Sequence, residues 1–283
     1  MEFRGIMGGF YRISEWIMRL SVINVLWVVC SLPFFFLLAS ALLNPEITAS
    51  TDLVLQSLIL IAIVAPFTLV PASAAMFTVA RKWTTGEEDA PLFKTFFKGY
   101  KENYLQSMLG GLVYLAIGGI LVVNYRFYGT QGGTLGLVSI LFIVLFVLLI
   151  ASFFNFLSIT VHFHMKFFQI IKNSLLITIG NPVNSLFILL SNGLILYFST
   201  RFTFLIPFFM GSLMAVVSFW YFHRSFVRMQ EKMEKMELAK AEAEAQKGED
   251  SSQPEGLEER SLTDRYPDAP DREESGPQGD KKA

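Results

Sequence analysis

A chain of 283 residues that is 53% hydrophobic and 17% charged departs from the make-up of a soluble domain and fits a multi-span membrane protein. Its net charge of −1 hides two bodies: residues 1–222 hold 12 Lys and Arg against 8 Asp and Glu, whereas residues 223–283 hold 11 against 16. Cys30 is the one cysteine, which excludes an intrachain disulfide and a thiolate zinc site.

Ahead of the first long apolar run, Phe10, Ile13, Ile17 and Leu20 recur at helical spacing while Arg12, Glu15 and Arg19 take other faces, the pattern of an amphipathic lead-in lying at the interface. A bilayer core needs about 20 mostly apolar residues as helix. Six stretches qualify, at about 21–43, 53–80, 105–123, 135–161, 183–199 and 202–222. Ala39-Ser40-Ala41 resembles a cleavage site, but the apolar run before it is longer than a signal-peptide core, so an uncleaved anchor is expected. Pro33, Pro66, Pro71 and Pro207 fall inside spans, where each removes a backbone donor. The pair Pro66 and Pro71 predicts a kinked second span.

After Gly86-Glu87-Glu88, Asp89 suits an N-cap and Pro91 the first helical turn. The helix predicted over 92–104 carries Lys94, Lys98 and Lys101 as one stripe, with Leu92, Phe93, Phe96, Phe97, Tyr100 and Tyr104 on its apolar side. Together with Arg81, Lys82 and Trp83 before it, this basic amphipathic segment is the candidate contact for anionic headgroups or for a cytoplasmic partner. Span five opens at Asn181-Pro182, and only a few residues around Thr200-Arg201 separate it from span six, which predicts a tight hairpin. Beyond it, Phe226, Met229, Met233 and Met236 follow 3-4-3 spacing, and the pairs Glu231/Lys235 and Lys240/Glu244 support a juxtamembrane helix over 223–247. Residues 248–283 are rich in Pro, Ser, Gly and acidic side chains and are expected to be a disordered tail.

Charge then sets orientation. Arg4, Arg12 and Arg19 precede span one; Arg81, Lys82, Lys94, Lys98 and Lys101 follow span two; Lys166 and Lys172 follow span four; Arg224 and Arg228 follow span six. The opposite loops hold only Arg126 and Arg201, so the positive-inside rule places both termini in the cytoplasm.

No Arg, Lys, Asp or Glu lies inside the six spans, which argues against a proton-coupled pump or ion relay. The intramembrane polar candidates are Asn24, Asn155, Asn184 and Asn192, read as interhelical hydrogen-bonding groups or as the lining of a polar path. His162 and His164 point about 200° apart on a helix, and neither they nor His223 has a carboxylate or thiol at useful spacing, so no metal is expected. The chain lacks nucleotide-binding, nucleophile-elbow and zinc-protease motifs, so no enzymatic activity, cofactor or nucleic-acid partner is expected.

Asn24 and Trp27 followed by Ser31-Leu32-Pro33, the run PASAAMFTVARKWTTGEE that begins at Pro71-Ala72, and Phe96-Phe97 with Lys101 and Asn103 resemble the YesL family of small bacterial membrane proteins of unknown function. The resemblance covers roughly residues 1–225 and fades after about 230. It implies a plasma-membrane protein that accompanies ATP-binding-cassette importers for oligosaccharides, and it supplies no catalytic residues. The sequence reading is therefore an all-α six-span bundle with interfacial amphipathic helices, acting as an accessory or scaffold protein beside ABC transporter subunits and membrane lipids. Two alternatives are a facilitator for a small polar solute lined by Asn155, Asn184 and Asn192, and a membrane sensor reporting through the Met-rich helix and tail.

Overall fold

The computed structural model describes residues 6–131 and 133–252. Among them the chain is helical without a strand: α1 Ile6–Cys30, α2 Leu32–Leu43, α3 Pro45–Ala49, α4 Thr51–Val64, α5 Leu69–Thr84, α6 Leu92–Gly129, α7 Gly133–His162, α8 Phe167–Gly180, α9 Pro182–Arg201, a π-helical turn Ile206–Met210, and α10 Gly211–Ser252. It divides into two units, Met1–Gln230 and Glu231–Ala283; the first holds the bundle, and the described part of the second is the last stretch of α10. Five helical segments are long and apolar enough to cross a bilayer, Gly9–Cys30, Leu92–Gly129, Leu135–His162, Pro182–Arg201 and Ile206–Glu242, and α4 with α5 makes a sixth, bent by 49°. The all-α polytopic architecture is as the sequence implies.

Several boundaries are corrected. The lead-in expected at 10–20 is helical and joined to the first span, because α1 is continuous to Cys30 and breaks only at Ser31. Pro33 lies in the first turn of α2 and has no N–H to give to the turn before it, which interrupts the hydrogen-bond ladder there. Trp16 packs edge-on against Trp83, with ring centroids 5.2 Å apart, and Arg19 donates to the Glu88 carbonyl and the Asp89 carboxylate. These contacts hold Arg19 level with the end of α5. The apolar run expected to cross at 21–43 is therefore divided between the second half of α1 and α2.

The second span breaks at 65–68 beside Pro66, whereas Pro71 sits in the first turn of α5, where its missing N–H costs nothing, and causes no break. The helix expected at 92–104 is present and runs on into the third span without a break. It is the start of the 38-residue α6, roughly 57 Å long against a bilayer core of about 30 Å. Nothing at the junction halts the helix, since Asn103 turns its amide back onto the Gly99 carbonyl at 2.9 Å.

Helix α8 has 14 residues, about 21 Å, too short to span, and the sequence reading left it as a connection between spans four and five. Its Ser174 meets Ser152 of α7 at 3.4 Å, and its Thr178 meets Asn155 at 2.9 Å. The partner advances along α7 as α8 advances, opposite to an antiparallel hairpin, so α8 crosses α7. Span six begins as helix at Ile206 rather than 202, and α10 continues past 222 and past Gly248 to Ser252, because a single glycine lowers helix stability by only about 1 kcal/mol. From residue 253 onward the tail expected at 248–283 lies outside the described residues.

The core of the bundle is built by α1, α5, α6, α7 and α10, with Ile23, Met76, Phe96, Phe156, Leu157 and Phe219 fully buried. Glycine allows the closest approaches. A Cβ at Gly99 would stand 2.5 Å from the Thr78 Oγ1, so α6 can rest on α5 only with glycine there.

Candidate functional site

The last turn of α5 carries Arg81, Lys82 and Trp83, and the chain leaves it through Gly86, whose φ of +93° favours glycine. Arg81 donates from Nη1 to the Val161 carbonyl at 2.6 Å, satisfying a backbone acceptor at the end of α7. Lys82 pairs with Glu87 at 2.5 Å across the turn. Trp83 is buried against Trp16. Three of the six candidate contact residues are thus engaged within the fold, where Arg81 and Trp83 fasten α1, α5 and α7 to one another.

The other three behave differently. Lys94, Lys98 and Lys101 are exposed on α6, and Phe93 and Phe97 beside them are 59% and 51% exposed, while Phe96 and Gly99 take the inward face. Lys98 has only a loose pair with Glu102 at 3.8 Å, both side chains being more than half exposed, and such a pair contributes little. The result is an outward basic and aromatic face on a helix held in place by the Gly99–Thr78 contact. Ammonium groups interleaved with phenyl rings attract anionic groups and give apolar edges to pack against.

The intramembrane asparagines are not brought to one place. Asn24, fully buried, donates from Nδ2 to the Ile206 carbonyl at 2.9 Å and accepts from the Ser212 N–H at 3.0 Å, bridging the π-helical turn at Pro207. Asn155 donates to Thr178 Oγ1 of α8 at 2.9 Å, and Asn192 donates to Ser218 Oγ of α10 at 2.8 Å. Asn184 Nδ2 is buried without a partner among the described residues. Asn24 and Asn192 thus reach α10 at separate points, residues 212 and 218, while Asn155 reaches α8. A fourth polar node was missed by the sequence reading: Tyr114 of α6 places its hydroxyl 2.7 Å from Ser152 Oγ and 2.8 Å from Ser174 Oγ, all buried. A tyrosine within an apolar run was its one signal in the sequence. The rings of His162 and His223 lie 6.0 Å apart and His164 is exposed; among the described residues no group of three or more His, Cys, Asp or Glu is placed to hold a metal ion.

Residues 20–125 match the family described as "Protein of unknown function, DUF624". The curated relatives include three proteins of Bacillus subtilis (strain 168). "Uncharacterized protein YesL" is 28% identical over 243 residues, covering 83% of this chain and 97% of the relative. "Uncharacterized protein YteU" is 27% identical over 215 residues, 76% of this chain and 84% of the relative. This chain is similar to YesL over most of its length. "Uncharacterized protein YesV" is 29% identical over 157 residues, 55% of this chain and 76% of the relative. No solved structure matches.

The YesL-like positions named from the sequence acquire structural roles. Trp27 donates from its indole N–H to Ser73 Oγ at 3.0 Å, joining α1 to α5. Pro71 and Ala72 are buried at the start of α5, Arg81 and Trp83 fasten its end, and Gly86 turns the chain into α6. The recognisable stretch is therefore the α1–α5–α6 joint that holds the lysine face.

Proposed function

We propose that this protein is a non-enzymatic accessory or scaffold subunit of the bacterial plasma membrane, associated with an ATP-binding-cassette import system for oligosaccharides. In this reading both termini and the face of Lys94, Lys98 and Lys101 lie in the cytoplasm, as the distribution of Lys and Arg favours. The observation that carries it is that the three lysines, with Phe93 and Phe97, stay exposed on a helix whose neighbours are keyed against it. A surface both fixed and only loosely paired suits docking. The importer itself is suggested by the YesL-like resemblance and by no contact in the fold. The facilitator reading draws less support, because Asn155 and Asn192 are bonded to different helices.

The test is affinity purification from native membranes. Reversing Lys94, Lys98 and Lys101 together to glutamate is expected to lower recovery of transporter subunits about tenfold or more, as loss of a few complementary rim charges does. The triple variant should still insert and migrate as the parent. Unchanged recovery of those subunits would remove the support for docking at this face.

A further inference from the structure

We propose that residues 32–64, comprising α2, α3 and α4, form a hinged helical flap that swings as one body against the rest of the bundle. The two hinges are Ser31 and residues 65–68. At the first, the Ser31 N–H is shared between the carbonyls of Trp27 and Val28, at 3.0 and 3.2 Å, and its hydroxyl is buried without a partner among the described residues. At the second, the helix tightens into turns, with Phe67 N–H on the Val64 carbonyl at 3.1 Å and Thr68 N–H on the Ala65 carbonyl at 3.3 Å, and the chain bends by 49°. Pro33 and Pro66 each keep the helix from closing across its hinge.

The hinges share one base. Trp27, four residues before Ser31, is hydrogen-bonded at 3.0 Å to Ser73, five residues after Thr68, so the two limbs of the flap leave the bundle side by side. Beyond them the segment is held to itself rather than to the bundle. Helix α2 packs on α4, and α3 on both, while α3 and α4 meet the remainder only through isolated contacts. The connections are capped: Asn44 Oδ1 accepts from the Glu46 N–H at 2.9 Å, and Ser50 Oγ accepts from the Leu53 N–H at 3.5 Å. No residue of α2 or α3 is buried, and in α4 only Ile61 is. One edge-on contact, Phe35 on Trp27 at 5.0 Å, ties α2 back to the bundle.

The surroundings make such motion inexpensive. Lipid tails are as apolar as leucine, so the exposed faces bearing Phe36, Leu42, Leu55, Leu58 and Ile59 exchange one lipid contact for another as the flap moves. Segments with few buried contacts joined at proline breaks are those that move as rigid bodies.

Spin-label distance measurements on the full chain in phosphatidylethanolamine and phosphatidylglycerol vesicles, in a Cys30→Ala background, decide the matter. The pair Leu58→Cys and Leu141→Cys reports flap against bundle, Leu109→Cys and Leu190→Cys reports the bundle, and Leu32→Cys and Leu53→Cys reports the flap itself. The flap-to-bundle distribution should be at least about twofold broader than the other two, as hinge motion of a rigid element requires. A flap-to-bundle distribution as narrow as the bundle pair would overturn the proposal, and so would a broad distribution inside the flap. Should Leu58→Cys or Leu141→Cys disturb insertion, Leu60→Cys with Ile143→Cys measures the same separation.

Discussion

Leucine in place of Gly110 is expected to destabilise the detergent-solubilised protein by about 2–3 kcal/mol, the cost of forcing extra volume into a packed core. A Cβ at this position would stand 2.0 Å from Phe156 Cζ, and that ring has nowhere to go. It is fully buried, stacked near Phe153 with centroids 6.4 Å apart and tilted against Tyr114 at 5.4 Å. The same substitution at Gly119, which has no atom within 4 Å of its Cβ direction, should leave the thermal midpoint unchanged. Equal midpoints for the two variants would mean that α6 and α7 are not in the close contact described.

Leucine at Asn24 is the second large effect, about 1–3 kcal/mol, because it removes the amide to which two backbone groups bond at once, one of them buried. The Ile206 carbonyl and the Ser212 N–H sit on either side of the π-helical turn, and Asn24 completes both. Without the amide, the start of α10 should open, and limited proteolysis should cut near residues 202–210 faster than in the parent. Asn184→Leu is the control, since its buried Nδ2 has no partner to lose among the described residues; its removal should leave stability unchanged or raise it by about 1 kcal/mol. If Asn24→Leu were as mild as Asn184→Leu, the bridging role would be wrong.

Span positions were legible because the bilayer imposes a length on every apolar run, and runs such as 135–161 and 183–199 carry no competing signal. Breaks were less legible. Pro71 and Pro66 look alike in sequence, yet one falls in the first turn of α5 and the other in the break at 65–68, a difference set by where the helix restarts. Helix α8 escaped notice because Lys172 and Asn173 interrupt its apolar run, and a non-spanning helix has no length rule to reveal it. The candidate site was half legible. A stripe of lysines shows in the spacing, whereas the inward use of Arg81 depends on Val161, a residue 80 positions away that no local pattern marks.

Side-specific cysteine labelling in a Cys30→Ala background tests the six-crossing arrangement most directly. Lys98→Cys and Arg228→Cys should react only with reagent supplied from the cytoplasm, and Glu46→Cys and Thr130→Cys only with reagent supplied from outside. Labelling of Lys98→Cys from outside while Arg228→Cys reacts from within would contradict the arrangement and, with it, the docking role given to the lysine face.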